Sequence, residues 1–222
     1  MKKSIIALIA LTGVAAASEQ VKSGSLTLDF TDIPKTVVDD ATLFNYINGA
    51  VNEGGTLTFE TVLSWNGNTT SDYQTILHVG EQGKGITLAV NGSNHLIFGE
   101  NNDYSTGHEL YDGTLKNGDN TVIFTLTGKN TPGTASASIT LNGTTYSMSD
   151  MSWATMGWSE GSSRYDEYTL GAQGPGWEAH KKLVHITPSN MTVKYVAPVP
   201  EPATATLSLL ALAGLAARRR RK

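Results

Sequence analysis

The chain has 222 residues, a formal net charge of −4, no cysteine, 23 glycines and only 16% charged residues. That length supports one sizeable domain or two small ones, and the lack of cysteine excludes disulfides, thiolate metal sites and cysteine nucleophiles together. The acidic balance argues against nucleic acid as a partner, and a hydrophobic fraction of 39% suits a soluble core better than a multi-span membrane protein.

The first predicted element is a secretory signal peptide over residues 1–17. Lys2 and Lys3 form a positive n-region, Ile5 to Val14 is an apolar run too short for a stable span, and Ala15-Ala16-Ala17 supplies the small residues of a cleavage site before Ser18. A buried N-terminal helix of a cytoplasmic protein is the competing reading. It leaves the order of these three regions unexplained.

The body, residues 18–196, reads as all-β. It holds most of the chain's 28 threonines and a series of short alternating runs. Leu26, Leu28 and Phe30 open it. Asp39 to Gly49 is the one helical candidate, with Leu43, Phe44 and Ile47 on one face. Leu57, Phe59, Leu63 and Trp65 share a strand face, as do Ile86, Leu88 and Val90. Leu96 and Phe98 follow the Asn91-Gly92 turn. Asp112-Gly113 and Asn117-Gly118 punctuate a connection before Val122, Phe124 and Leu126. Ala137, Ile139 and Leu141 lead into Asn142-Gly143, which suits a type I′ hairpin because both central residues need positive φ. Val193 and Tyr195 close the domain. Period-2 spacing half-buries each strand, and two facing sheets would bury all these sets together.

Between the last two strand patterns lies Met151 to Trp177, which holds three of the four tryptophans. Trp153, Trp158, Tyr165 and Trp177 are the candidate ligand-binding residues. Aromatic rings on loops over a rigid sandwich can stack on sugar faces, or they can simply seal the core. Trp65, at the end of a core strand, reads as packing.

The tail, residues 197–222, begins with the proline-locked segment Pro198-Val199-Pro200-Glu201-Pro202. An uncharged run over 203–217 follows, about 22 Å long if helical, and then Arg218, Arg219, Arg220, Arg221 and Lys222. This is short for a hydrocarbon core of about 30 Å, and the basic cluster would place the C-terminus in the cytoplasm. Seven of the basic residues and one acidic residue lie in the two ends. Residues 18–199 therefore hold 9 basic and 19 acidic groups, a net charge of −10. Such a body suits neutral glycans or cation-bridged matrices better than polyanions.

The tail resembles the PEP-CTERM sorting signal of Gram-negative bacteria: Val199-Pro200-Glu201-Pro202, a short apolar helix and an arginine-rich end. The resemblance implies recognition by an exosortase-type enzyme in the membrane, processing near the motif, and delivery to the cell surface or the extracellular polymer. A plain C-terminal anchor that is never cut is the alternative. The body, over Leu57 to Met148, resembles the laminin-G-like, concanavalin A-like jelly roll. Gln74–Val79 with Gly85–Gly92 is similar to its central hairpin, and Ser138–Met148 to its hairpin around an Asx-Gly turn. The Trp-His pair of that family is replaced by Asn117-Gly118-Asp119-Asn120, and its closing stretch is not recognisable near Glu178 to Ile186.

Glycoside hydrolases share this sandwich, but the one-strand E-x-D-x-x-E arrangement is absent, and Asp166-Glu167 would point to opposite faces of a strand. His78 and His95 fall on polar-facing strand positions and read as exposed, while His180 and His185 do not match HExxH spacing. Asp32, Asp39, Asp40, Asp72 and Asp103 could supply a Ca²⁺ site, but no spacing singles them out and loop solvation explains each. The sequence therefore reads as an exported, non-catalytic cell-surface or matrix protein without a required cofactor. Its partners would be an exosortase-type enzyme, a glycan or exopolysaccharide, and the membrane through its tail. A purely structural matrix protein and a glycoside hydrolase are the competing readings.

Overall fold

The computed structural model describes residues 20–38, 40–67, 73–79, 86–99, 109–129, 134–152, 168–171, 180–181 and 183–199. In chain order these form β1 (Gly24–Leu28), β2 (Lys35–Val37), α1 (Thr42–Glu53), β3 (Thr56–Trp65), β4 (Tyr73–Val79), β5 (Ile86–Val90), β6 (His95–Gly99), β7 (Glu109–Thr114), β8 (Gly118–Gly128), β9 (Thr134–Leu141), β10 (Thr144–Ser152), β11 (Tyr168–Leu170), β12 (His180–Lys181), β13 (Ile186–Pro188) and β14 (Met191–Val196). They build two sheets. The first runs β1-β14-β3-β8-β9-β10, with β13 on the end of β3; the second runs β2-β11-β4-β5-β6-β7, with β12 beside β4. Every described pairing is antiparallel except β12 with β4.

The all-β sandwich expected from alternation is what forms. In β3, Leu57, Phe59, Leu63 and Trp65 are buried while Glu60, Val62 and Ser64 face solvent. Val122, Phe124 and Leu126 in β8, and their register partners Leu141, Ile139 and Ala137 in β9, extend the same inner face. The second sheet answers with Leu77, Val79, Ile86, Leu88, Val90, Leu96, Phe98, Tyr168 and Leu170. The Phe98 and Phe124 rings meet across the two sheets, with centroids 5.6 Å apart. Asn142 and Gly143 carry φ of 49° and 85°, so the β9–β10 turn has the two positive φ values that its sequence demands.

Three differences from the sequence reading have physical causes. The helix spans Thr42–Glu53, not Asp39–Gly49: its buried stripe continues through Ala50 and Val51, and it stops at left-handed Gly54, where Gly55 N–H returns to the Gly49 carbonyl at 3.1 Å. Gly49 sits inside the helix because the Tyr195 ring lies where a Cβ would be. Asp112-Gly113 is not a connection. It falls within β7, where Gly113 (φ 79°) is the extra residue of a bulge between the pairs His95–Thr114 and Leu96–Asp112. Finally, β5 is buried along its whole length, and so are the described side chains of β4, so these strands are not half-buried.

Candidate functional site

The two ends of the sandwich domain meet. β1 pairs with β14, Gly24 opposite Tyr195, and the Ser23 hydroxyl accepts a hydrogen bond from Ala197 N–H at 2.8 Å. Helix α1 closes this same rim: Gly128, at the end of β8, lies where a Cβ would strike the Ala50 carbonyl and Gly54. Glu53 accepts from Val21 N–H at 3.0 Å, which fixes the incoming strand to the helix. Tyr46 stacks on Tyr195 at 5.4 Å beneath it. The Tyr195 hydroxyl is buried without a partner, and burial, reinforced by Glu53, pushes its pKa up to about 12. Beside this cluster an open groove of about 390 Å³ is lined by Gln20, Val21, Lys22, Thr42, Asn45 and Tyr46. The last described residue, Val199, is 88% exposed and follows the strand that pairs with β1.

The outward face of the second sheet is closed. Thr169, His78 and Thr87 form one row in register across β11, β4 and β5. Each alternates with core residues and so points away from the core. All three are buried, as are Thr75, Ala89 and Ile97. His78 Nδ1 and Thr87 Oγ1 are 3.1 Å apart, while the Thr169 hydroxyl has no partner. The expectation that His78 is exposed is therefore corrected: polar alternation placed it on the outward face, but that face is not in solvent. His95 is half-buried and its Nε2 lies 3.3 Å from the Thr114 hydroxyl. His185 packs edge-on against Trp65 at 6.3 Å, and its backbone N–H donates to the buried Gln74 side chain at 3.0 Å. Trp65 is buried, as its place in a core strand requires.

Trp153, Trp158, Tyr165 and Trp177 lie outside the described residues, as do residues 1–17, Asp39, Asp72, Asp103, Pro200, Glu201, Pro202, the 203–217 run and Arg218–Lys222. Among the described residues no helix is long and apolar enough to cross a membrane, and no group of three or more His, Asp or Glu could hold a metal ion. Asp32 is exposed. Asp40 accepts from Thr42 N–H at 2.9 Å, tying down the start of the helix. Sequence reasoning passed over Asp29, whose carboxylate takes the backbone N–H and hydroxyl of Thr31 and lies 3.6 Å from Lys35. Those hydrogen bonds, with the lysine, hold its pKa below the usual value. It also passed over Asn120, buried among polar loops.

The model of the PEP-CTERM protein-sorting motif matches residues 198–222, so the C-terminus carries that motif. No curated protein matches the chain. Among solved structures, the CBM40 of the Ruminococcus gnavus IT-sialidase is 15% identical with a TM-score of 0.51, over 79% of this chain and 94% of that one. The leech intramolecular trans-sialidase is 13% identical with a TM-score of 0.49, over 82% of this chain and 27% of that one. The Trypanosoma rangeli sialidase is 11% identical with a TM-score of 0.42, over 68% and 21%. The chain spans about a quarter of the length of those two sialidases. The CBM40 likeness establishes the fold, a jelly-roll-like sandwich, and the sorting motif establishes a chain addressed for export to the cell surface.

Proposed function

We propose that this protein is an exported surface or matrix protein, sorted and cut by an exosortase-type enzyme, whose sandwich binds carbohydrate without catalysing a reaction. The observation that carries the sorting half is positional. The matched motif starts at residue 198, two residues after the last residue of β14, Val196. A folded domain followed at once by a proline-locked spacer leaves the tail free to be handled separately from the body. The ends meeting at one rim support the same reading, because a domain held to a membrane through either end keeps the same orientation.

Carbohydrate is the ligand class favoured by the aromatic segment, with Trp153, Trp158, Tyr165 and Trp177 as stacking rings, and by the likeness to a CBM40, a carbohydrate-binding module. A glycan array probed with the purified protein tests this. Binding is expected, and loss of binding in W153A/W158A/W177A supports the aromatic site. No hit on the array overturns the binding reading. The closed outward face of the second sheet favours one alternative, a structural matrix protein whose sandwich holds itself shut. That alternative predicts an empty array and unchanged envelope assembly in the triple variant.

A further inference from the structure

A second site lies at the rim opposite the tether. β8 runs from Gly118 to Gly128, so at about 3.3 Å per residue it carries the chain roughly 33 Å from this rim to the one where α1 and β14 end. Here the bulge of β7, the segment before β8 and the β9–β10 hairpin surround a pocket of about 150 Å³, a volume on the scale of one sugar ring. It is lined by Gly113, Thr114, Lys116, Leu141, Asn142, Thr144 and Tyr146.

The walls are held in place before any ligand arrives. Asn120 is fully buried and stands between the two loops. Its Oδ1 accepts from Lys116 N–H and from Asn142 Nδ2, both at 3.0 Å. Its Nδ2 donates to the Lys116 carbonyl at 2.8 Å and the Gly118 carbonyl at 2.9 Å. Asn142 Oδ1 in turn accepts from Thr121 N–H at 3.0 Å. Opposite, the Leu141 side chain occupies the place of a Cβ on Gly113, so bulge and hairpin are in contact. A site fixed this way loses little conformational freedom on binding.

The lining chemistry names a ligand class. Among the described residues Lys116 Nζ, the Thr144 hydroxyl and the Tyr146 hydroxyl make no hydrogen bond or ion pair, and Lys116 is exposed. Asp119, three residues away in the chain, is engaged by the Ser64 hydroxyl. A lone ammonium beside hydroxyls and an aromatic ring suits a sugar that carries a carboxylate. The net charge of −10 on the body opposes polyanions at long range, but screening over about 8 Å at physiological ionic strength leaves contact distances to the local lysine.

We infer that this pocket binds a uronate unit of an acidic polysaccharide, with Lys116 on the carboxylate and Thr144 and Tyr146 on ring hydroxyls. It faces away from the tethered rim, where an extracellular polymer would be met. The proposal uses none of the residues of the aromatic segment and stands or falls without them.

Calorimetric titration of the purified protein with oligomers of galacturonate, glucuronate and mannuronate tests it, each against its methyl ester, which keeps the ring and removes the charge. The acid form of at least one should bind, with its ester about tenfold weaker, as loss of one charge-assisted hydrogen bond implies. K116A should lose about the same factor while K116R keeps most of the affinity, and W153A/W158A/W177A should bind as the unaltered protein does. Three results would overturn the proposal: no binding of any acid form, equal binding of acid and ester, or unchanged affinity in K116A.

Discussion

Asn120 uses both ends of its side-chain amide to hold the segment before β8 against the β9–β10 hairpin. It is fully buried and bonds to the backbone of Lys116 and Gly118 and to the side chain of Asn142. Replacing it with Leu leaves donors and acceptors of both loops without partners, each costing about 1–3 kcal/mol. Lys116, Gly118 and Asn142 are exposed, so water replaces part of that loss, and N120L should lower the unfolding free energy by about 2–4 kcal/mol, read as a lower urea midpoint with an unchanged slope. Tyr195 is the opposite case, because its hydroxyl is buried with no partner and its pKa is raised to about 12. Between about pH 10 and that value the unfolded chain releases the phenolic proton and the folded chain keeps it. Stability is therefore full below pH 10 and falls as pH rises toward 12. In Y195F this part of the alkaline decline should disappear, and stability at pH 7 should rise by about 1 kcal/mol because no hydrogen bond is lost. A Y195F protein less stable at pH 7 than the original would show that the hydroxyl has a partner. Tyr195 was legible as a core-facing strand residue, though its unpartnered hydroxyl was not, and the role of Asn120 was not legible at all. Asn120 ends the Asn117-Gly118-Asp119-Asn120 run that leads into a strand, and only the register of β8 against β3, with Asn120 opposite Leu63, reveals which of its asparagines turns inward.

At the scale of elements, glycine shows which sequence signals are local. Gly143 has φ of 85° and open space around the position of a Cβ. G143A should cost about 1 kcal/mol, the strain of a left-handed non-glycine residue. Gly128 has ordinary φ, but a Cβ there would lie 1.9 Å from the Ala50 carbonyl, in the backbone of α1. That helix cannot move without opening the rim, so G128A should destabilise far more than G143A, by thermal unfolding of the two side by side. The Asn-Gly turn was readable because a hairpin's needs are met by two neighbouring residues. The Gly128 contact was not, since the partner lies nearly eighty residues earlier. The same division explains the strands. Those with one face in solvent, β3, β8 and β9, announced themselves by alternation. The buried β4 and β5 showed only part of theirs, and the short β2, β11, β12 and β13 are shaped by their neighbours in the sheet rather than by their own residues.

For the whole molecule, the layout was more legible than the site. The two-sheet sandwich and the C-terminal motif both follow from local patterns, and the motif is matched over residues 198–222. What the sequence did not disclose is that entry and exit share a rim, with Gly24 opposite Tyr195. Alternation says that a strand exists, not which strand it pairs with. Polarity follows from that pairing: one rim holds the start of β1 and the end of β14, and the far rim holds the pocket around Lys116. The closed outward face of the second sheet was equally hidden, because His78 read as a solvent-facing residue. The central claim is that the tail is an address, removed once the folded body has reached the envelope. Mass spectrometry of the protein recovered from the cell surface tests it most directly. The account predicts a mature C-terminus close to Pro200 and no Arg218–Lys222 peptide; surface protein that retains the intact basic tail would contradict it.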